Sequence, residues 1–145
     1  MNQKQPQKNL DVDDIIGIYS RIGTYRQGTL NANGEWQPIL TGLESCNIFE
    51  VIAIAYGGKG EGKYATLHAI ASNAYTGKRG RIHCTRNYYG WQWWRRIGLR
   101  WVGTPFNYSL EMKTFSGYGN SGEIEYSITK LSKDIVYKAD KGFNL

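Results

Sequence analysis

Eleven consecutive residues, Arg86-Asn87-Tyr88-Tyr89-Gly90-Trp91-Gln92-Trp93-Trp94-Arg95-Arg96, gather five aromatic rings and three arginines. Successive side chains on a strand face opposite sides, so these rings cannot all enter one core. Gly90 marks a turn within the segment, so some of Tyr88, Tyr89 and Trp91, which flank it, should sit at a loop tip. Exposed rings are flat apolar platforms, and adjacent Arg and Asn side chains supply hydrogen-bond donors. Such a surface suits a sugar ring, a base or a partner protein. The residues expected to contact a ligand are Tyr88, Tyr89, Trp91, Trp93, Arg95 and Arg86. Trp and Tyr are usually well buried, so packing in the core or between subunits is the competing reading for each ring.

Patterns for catalysis are weaker. The chain has two histidines, His68 and His83, and no Ser or Cys in a nucleophile-elbow context. His68 and Cys84 have the types of a dyad, but their spacing lends it no support. Carboxylate pairs for glycoside hydrolysis can be drawn from Glu44, Glu50, Glu61, Glu111, Glu123 and Glu125, as in any chain of this length. Two histidines without matched carboxylates make a poor zinc or non-haem iron site. The loop Gly57-Gly58-Lys59-Gly60-Glu61-Gly62 lacks the Gly-Lys-Ser/Thr ending of a phosphate-binding loop, and a strand pattern follows it. The expectation is a non-enzymatic chain with no metal and no cofactor.

Composition sets the remaining bounds. At 145 residues the chain fits one domain with a proper core. A formal charge of +6 favours an anionic partner, without choosing between a nucleic acid, an acidic glycan and a lipopolysaccharide-rich surface. Nucleic acid is the weaker choice, because the basic residues are spread along the chain and no RNP-like or OB-type signature is present. Cys46 and Cys84 form no CxxC or zinc pattern and read as buried free thiols, with pairing left open. The opening MNQKQPQKNLDVDD is polar, so no signal peptide is expected. No apolar run approaches the roughly 18 residues of a membrane span, so no membrane insertion is expected.

The elements that must position the aromatic segment are strands. Eighteen glycines, eleven tyrosines and five tryptophans point to short strands joined by tight turns. Alternation predicts strands over 35–40, 47–56, 63–73, 81–88, 93–102, 107–115 and 123–131. Residues 25–34 read as turn-rich, with Asn33-Gly34 a hairpin signal. The 47–56 strand is apolar on both faces and reads as central and covered on both sides. Along 93–102, Ile97, Leu99 and Trp101 should face inward and Arg96 and Arg100 outward; Tyr108, Leu110 and Met112 should line the return strand. Arg100 should then meet Glu111 across the pair. The expected fold is an all-β, antiparallel, jelly-roll-like β-sandwich of seven to eight short strands. It divides into an arm or linker over 1–14, a sandwich over 15–131 that opens on the apolar Ile15–Tyr19 patch, and a mixed tail over 132–145.

Between residues 35 and 131 the chain also resembles a known family. The residues that carry the likeness begin with Gly62-Lys63-Tyr64-Ala65, His68-Ala69-Ile70-Ala71 and Tyr88-Tyr89-Gly90. They continue through Leu99-Arg100-Trp101-Val102-Gly103-Thr104, Tyr108-Ser109-Leu110-Glu111-Met112-Lys113-Thr114 and Tyr126-Ser127-Ile128-Thr129-Lys130-Leu131. This set of an LRW-x-G hairpin, a return strand and a closing Y-x-[IL]-T-x-L strand resembles the C-terminal tip domain of bacterial and phage-type trimeric fibre proteins. The resemblance implies a β-rich homotrimeric knob that contacts a cell-surface ligand, often a glycan, at an extracellular or particle-associated location. It carries over no catalytic residue. It also leaves open a purely structural role, in which the domain trimerises a fibre and recognition lies elsewhere. Such tips follow long repetitive shafts, whereas only about a dozen polar residues precede the ordered pattern here.

Overall fold

The computed structural model describes residues 25–138. Eight strands form two antiparallel sheets: β1 (Arg26–Asn31), β2 (Gln37–Leu43), β3 (Cys46–Tyr56), β4 (Tyr64–Ala74), β5 (Arg81–Tyr88), β6 (Ile97–Thr104), β7 (Asn107–Thr114) and β8 (Glu123–Lys130). The larger sheet has the order β1-β8-β3-β4-β5, and the smaller has β2-β7-β6. The described residues therefore form an all-β sandwich, and no helix among them is long and apolar enough to cross a membrane.

Strand alternation explains the core. Phe49, Val51, Ala53 and Ala55 of β3 and Ala65, Leu67, Ala69 and Ala71 of β4 turn inward and are buried. The small sheet answers with Leu99, Trp101, Tyr108, Leu110 and Met112, so alanines on one layer leave room for large rings on the other. Trp101 and Tyr108 meet edge to face at 5.3 Å between ring centroids. Their polar tips are satisfied: the Trp101 indole donates to Arg81 O at 3.2 Å, and the Tyr108 hydroxyl donates to Ser45 O at 2.8 Å while accepting from Asn47. The tight turn after Gly103 sets the β6–β7 register, which puts Arg100 opposite Glu111 with a 2.8 Å ion pair, as alternation required.

Five sequence expectations change. Residues 26–31 form edge strand β1 rather than a turn, because main-chain pairing with β8 orders a segment with little apolar signal. The Asn33-Gly34 turn carries the chain from one sheet to the other and does not close a hairpin, since β1 pairs with β8 and β2 with β7. The 47–56 strand is central but covered on one side only: Ile52 and Ile54 are each 50 % exposed. Residues 93–95 form a 3₁₀ turn, and β6 starts at Ile97. The first strand pattern, over 35–40, is shifted into β2, leaving Trp36 just before it. Residues 132–138 carry no strand, while the 1–14 arm and the Ile15–Tyr19 patch lie outside the described residues.

Candidate functional site

The aromatic segment leaves β5 at Tyr88, turns at Gly90 and re-enters the fold at β6. Gly90 has φ +61°, a left-handed conformation that other residues adopt at a cost, and its Cα faces open space. Backbone bonds then fix the tip, from Trp93 N to Trp91 O at 2.9 Å and from Arg95 N to Gln92 O at 2.8 Å. Trp91 projects farthest, 92 % exposed, with Tyr89 at 58 % and Trp93 at 57 %. Tyr88 is half-buried against the core.

Beside this tip lies an open groove of about 400 Å³, lined by Tyr64, Ala65, Thr66, Asn87, Tyr88, Tyr89 and Gly90. The β4–β5 register makes it by setting Ala65 opposite Tyr88 and Thr66 opposite Asn87. Tyr64 and Tyr89 meet edge to face at 6.2 Å and form its aromatic rim. The groove thus combines aromatic rings with an amide and a hydroxyl, which suits a neutral polar ring with one apolar face.

The two arginines of the expected set take other positions. Arg95 donates from Nη1 to Gly117 O at 2.9 Å and from Nε to Gln92 Oε1 at 3.0 Å, and its guanidinium lies over the Tyr118 ring. Tyr118 is fully buried, and its hydroxyl donates to Arg95 O. Burial pushes the Tyr118 phenol up to about 12, against the opposing influence of Arg95. Arg95 and Tyr118 therefore pin the root of the tip. Arg86 donates from Nε to Ile97 O at 2.8 Å, tying β5 to the start of β6. Arg86 stands opposite buried Leu67, on the face of the large sheet turned to the core, whereas a second groove lies on the outer face beside Ile52, Ile54 and His68.

Sequence reasoning missed Tyr64, Ala65 and Thr66, because the pairing of β4 with β5 alone brings them to the tip beside Asn87. It also missed a second aromatic face. On the outside of the small sheet, Arg96 lies 3.9 Å over Phe115 and 5.2 Å over Trp93, and Arg100 lies 4.3 Å over Trp36. Lys113 sits 4.9 Å from Trp36 and 4.8 Å from Phe115. The outward alternation of Arg96 and Arg100 was the available signal.

The remaining chemistry is dispersed. His68 pairs with Glu50 at 2.7 Å on the outer face of the large sheet, whereas Cys84, opposite Ala69, packs against the core. The two therefore stand on opposite faces and form no dyad. Cys46 and Cys84 are free thiols. Glu123 and Glu125 both accept from the single Tyr56 hydroxyl, and those hydrogen bonds push its phenol well above the usual tyrosine range. Among the described residues no group of three or more His, Cys, Asp or Glu is placed to hold a metal ion.

No family model matches the chain, and no curated protein matches it. Among solved structures the chain is similar to a tailspike protein, gp49, from Acinetobacter baumannii bacteriophage Fri1, a capsular polysaccharide depolymerase, at a TM-score of 0.45 and 8 % identity. The match covers 71 % of this chain and 16 % of that one, so this chain spans about a sixth of the length of the protein it resembles.

Proposed function

We propose that this domain is a recognition module that binds a carbohydrate of a cell surface through the Tyr89–Trp91 tip and its groove, without catalysis. The carrying observation is Trp91, 92 % exposed on a backbone-stapled turn beside an aromatic-rimmed groove. An exposed tryptophan gains nothing for the fold, whereas covering a ring on binding returns about 1.5–3 kcal/mol. The resemblance to fibre tips supports the same reading and adds a homotrimer at an extracellular or particle-associated location, where several weak sites act together. A glycan array followed by titration of Trp91→Ala tests it. Binding of at least one array glycan, lost in the variant, is expected; a chain that binds none overturns the reading.

One observation favours a second reading, a structural self-association module. Ile52 and Ile54 are neighbours on the outer face of β3, each half exposed, with exposed Ile48 beyond Glu50 on the same face. Contiguous exposed apolar surface of this kind marks contact sites. Light scattering of the parent and of Ile52→Asp separates the readings. An oligomer that dissociates in the variant, in a protein that binds no glycan, favours the structural module.

A further inference from the structure

We propose a second binding site on the outer face of the small sheet, which takes the carboxylate or sulfate of an acidic saccharide. Strand pairing builds it. Arg96, extended just before β6, and Gly98 and Arg100 of β6 alternate outward, and Glu111 and Lys113 face outward from β7, with Gly98 opposite Lys113 and Arg100 opposite Glu111. Gly98 is needed here: a Cβ would come within 2.5 Å of the Phe115 ring and 3.2 Å of Trp36. Its bare backbone lets the two rings meet edge to face across the strand, 6.1 Å apart.

Three cations then share these rings. Arg96 and Lys113 both lie over Phe115, and Arg100 and Lys113 both lie over Trp36. A ring quadrupole offsets part of the repulsion between such charges. Among the described residues only one carboxylate joins the group. Glu111 accepts from both Nε and Nη2 of Arg100 through one oxygen, at 2.9 and 2.8 Å. Arg96 spends Nη1 on Trp93 O and keeps its other donors. The Lys113 ammonium has no hydrogen-bond acceptor or carboxylate among the described residues. An oxyanion at Lys113, flanked by Arg96 and Arg100, would relieve this crowding and meet donors already held in place.

The occupied rings choose the ligand class. Single-strand nucleic-acid binders need free aromatic faces on which bases stack. Cations lie over both rings here, so this face offers charge and N–H donors but little stacking. A saccharide bearing sparse carboxylates or sulfates needs only those. The site stands on its own geometry and does not depend on the tip.

Calorimetric titration tests it with four probes: a galacturonate tetramer, its neutral methyl ester, a sulfated tetrasaccharide and an oligodeoxythymidylate of matched charge. The galacturonate, the sulfated probe or both should bind, more weakly as salt rises, and the ester should bind at least about tenfold more weakly. Which of the two acidic probes binds names the anion. Lys113→Met should lose about tenfold in affinity at an unchanged melting temperature, Lys113→Arg should restore most of it, and Trp91→Ala should leave it intact. Equal binding of the ester, unchanged binding by Lys113→Met, loss in Trp91→Ala, no binding of either acidic saccharide, or tighter binding of the oligodeoxythymidylate overturns the proposal.

Discussion

The tip around Trp91 and the outer face of the small sheet use the same residue types to opposite ends. On the sheet face, paired strands hold Arg96, Arg100 and Lys113 against Trp36 and Phe115, so the ring faces are taken up within the protein. At the tip, the turn at Gly90 and the 3₁₀ turn at Trp93–Arg95 carry Trp91 away from any such partner. Composition does not separate these regions, and backbone geometry does. A ring beside a cation on a paired strand stiffens the surface, whereas a ring on a stapled turn stays available to a ligand.

Gly98→Val breaks the first region most severely. The added side chain collides with Phe115 and Trp36, and overpacking of this kind costs up to about 3 kcal/mol, read as a lower urea midpoint. Carbohydrate binding at the tip should survive in the folded fraction. Tyr118→Phe acts on the root of the second region. It leaves Arg95 O without its hydroxyl donor and should cost about 1.5 kcal/mol.

The same residue has a pH signature. The folded Tyr118 phenol is raised to about 12, above an unfolded value of 10.0, so its contribution is fully present below pH 10 and is lost as pH rises toward 12. Alkaline unfolding of Tyr118→Phe should therefore be shallower than that of the parent. It should not vanish, because Tyr108 is raised by burial and Tyr56 by its bonds to Glu125 and Glu123.

Trp91→Ala sharpens the contrast. Stability should stay within about 0.5 kcal/mol of the parent, as for an exposed side chain away from special features. Affinity for any saccharide bound at the tip should fall at least tenfold, about 1.4 kcal/mol. The smallest effect belongs to the exposed Arg100–Glu111 pair. A double-mutant cycle should give a coupling of about 0.2–1 kcal/mol that shrinks in high salt.

Most strands were legible because burial follows a period of two. The inward sets of β3, β4, β6 and β7 are apolar at every second residue, and a tight hairpin fixes Arg100 against Glu111. Edge strand β1 was not legible, since it buries little apolar surface and is ordered by its pairing with β8. The exposure of Ile52 and Ile54 was also hidden, because an apolar residue reads alike whether or not another layer covers it. The tip itself was visible in the Tyr88–Trp91 sequence. The roles of Arg95 and Arg86 were not: their acceptors, Gly117 O and Ile97 O, lie 22 and 11 residues away along the chain. Sequence marks a cation near rings, but tertiary structure decides whether it faces a ligand or a carbonyl.

The five tryptophans provide the most direct test, since Trp91 reports the tip, Trp36 the stacked face and Trp101 the core. Their indole N–H signals can be followed in a heteronuclear NMR titration with a panel of neutral cell-surface oligosaccharides. The account predicts that at least one saccharide shifts the Trp91 signal in a saturable way while Trp36 and Trp101 stay in place. A Trp91 signal that no member of the panel moves, or that moves only together with Trp36 and Trp101, would contradict it.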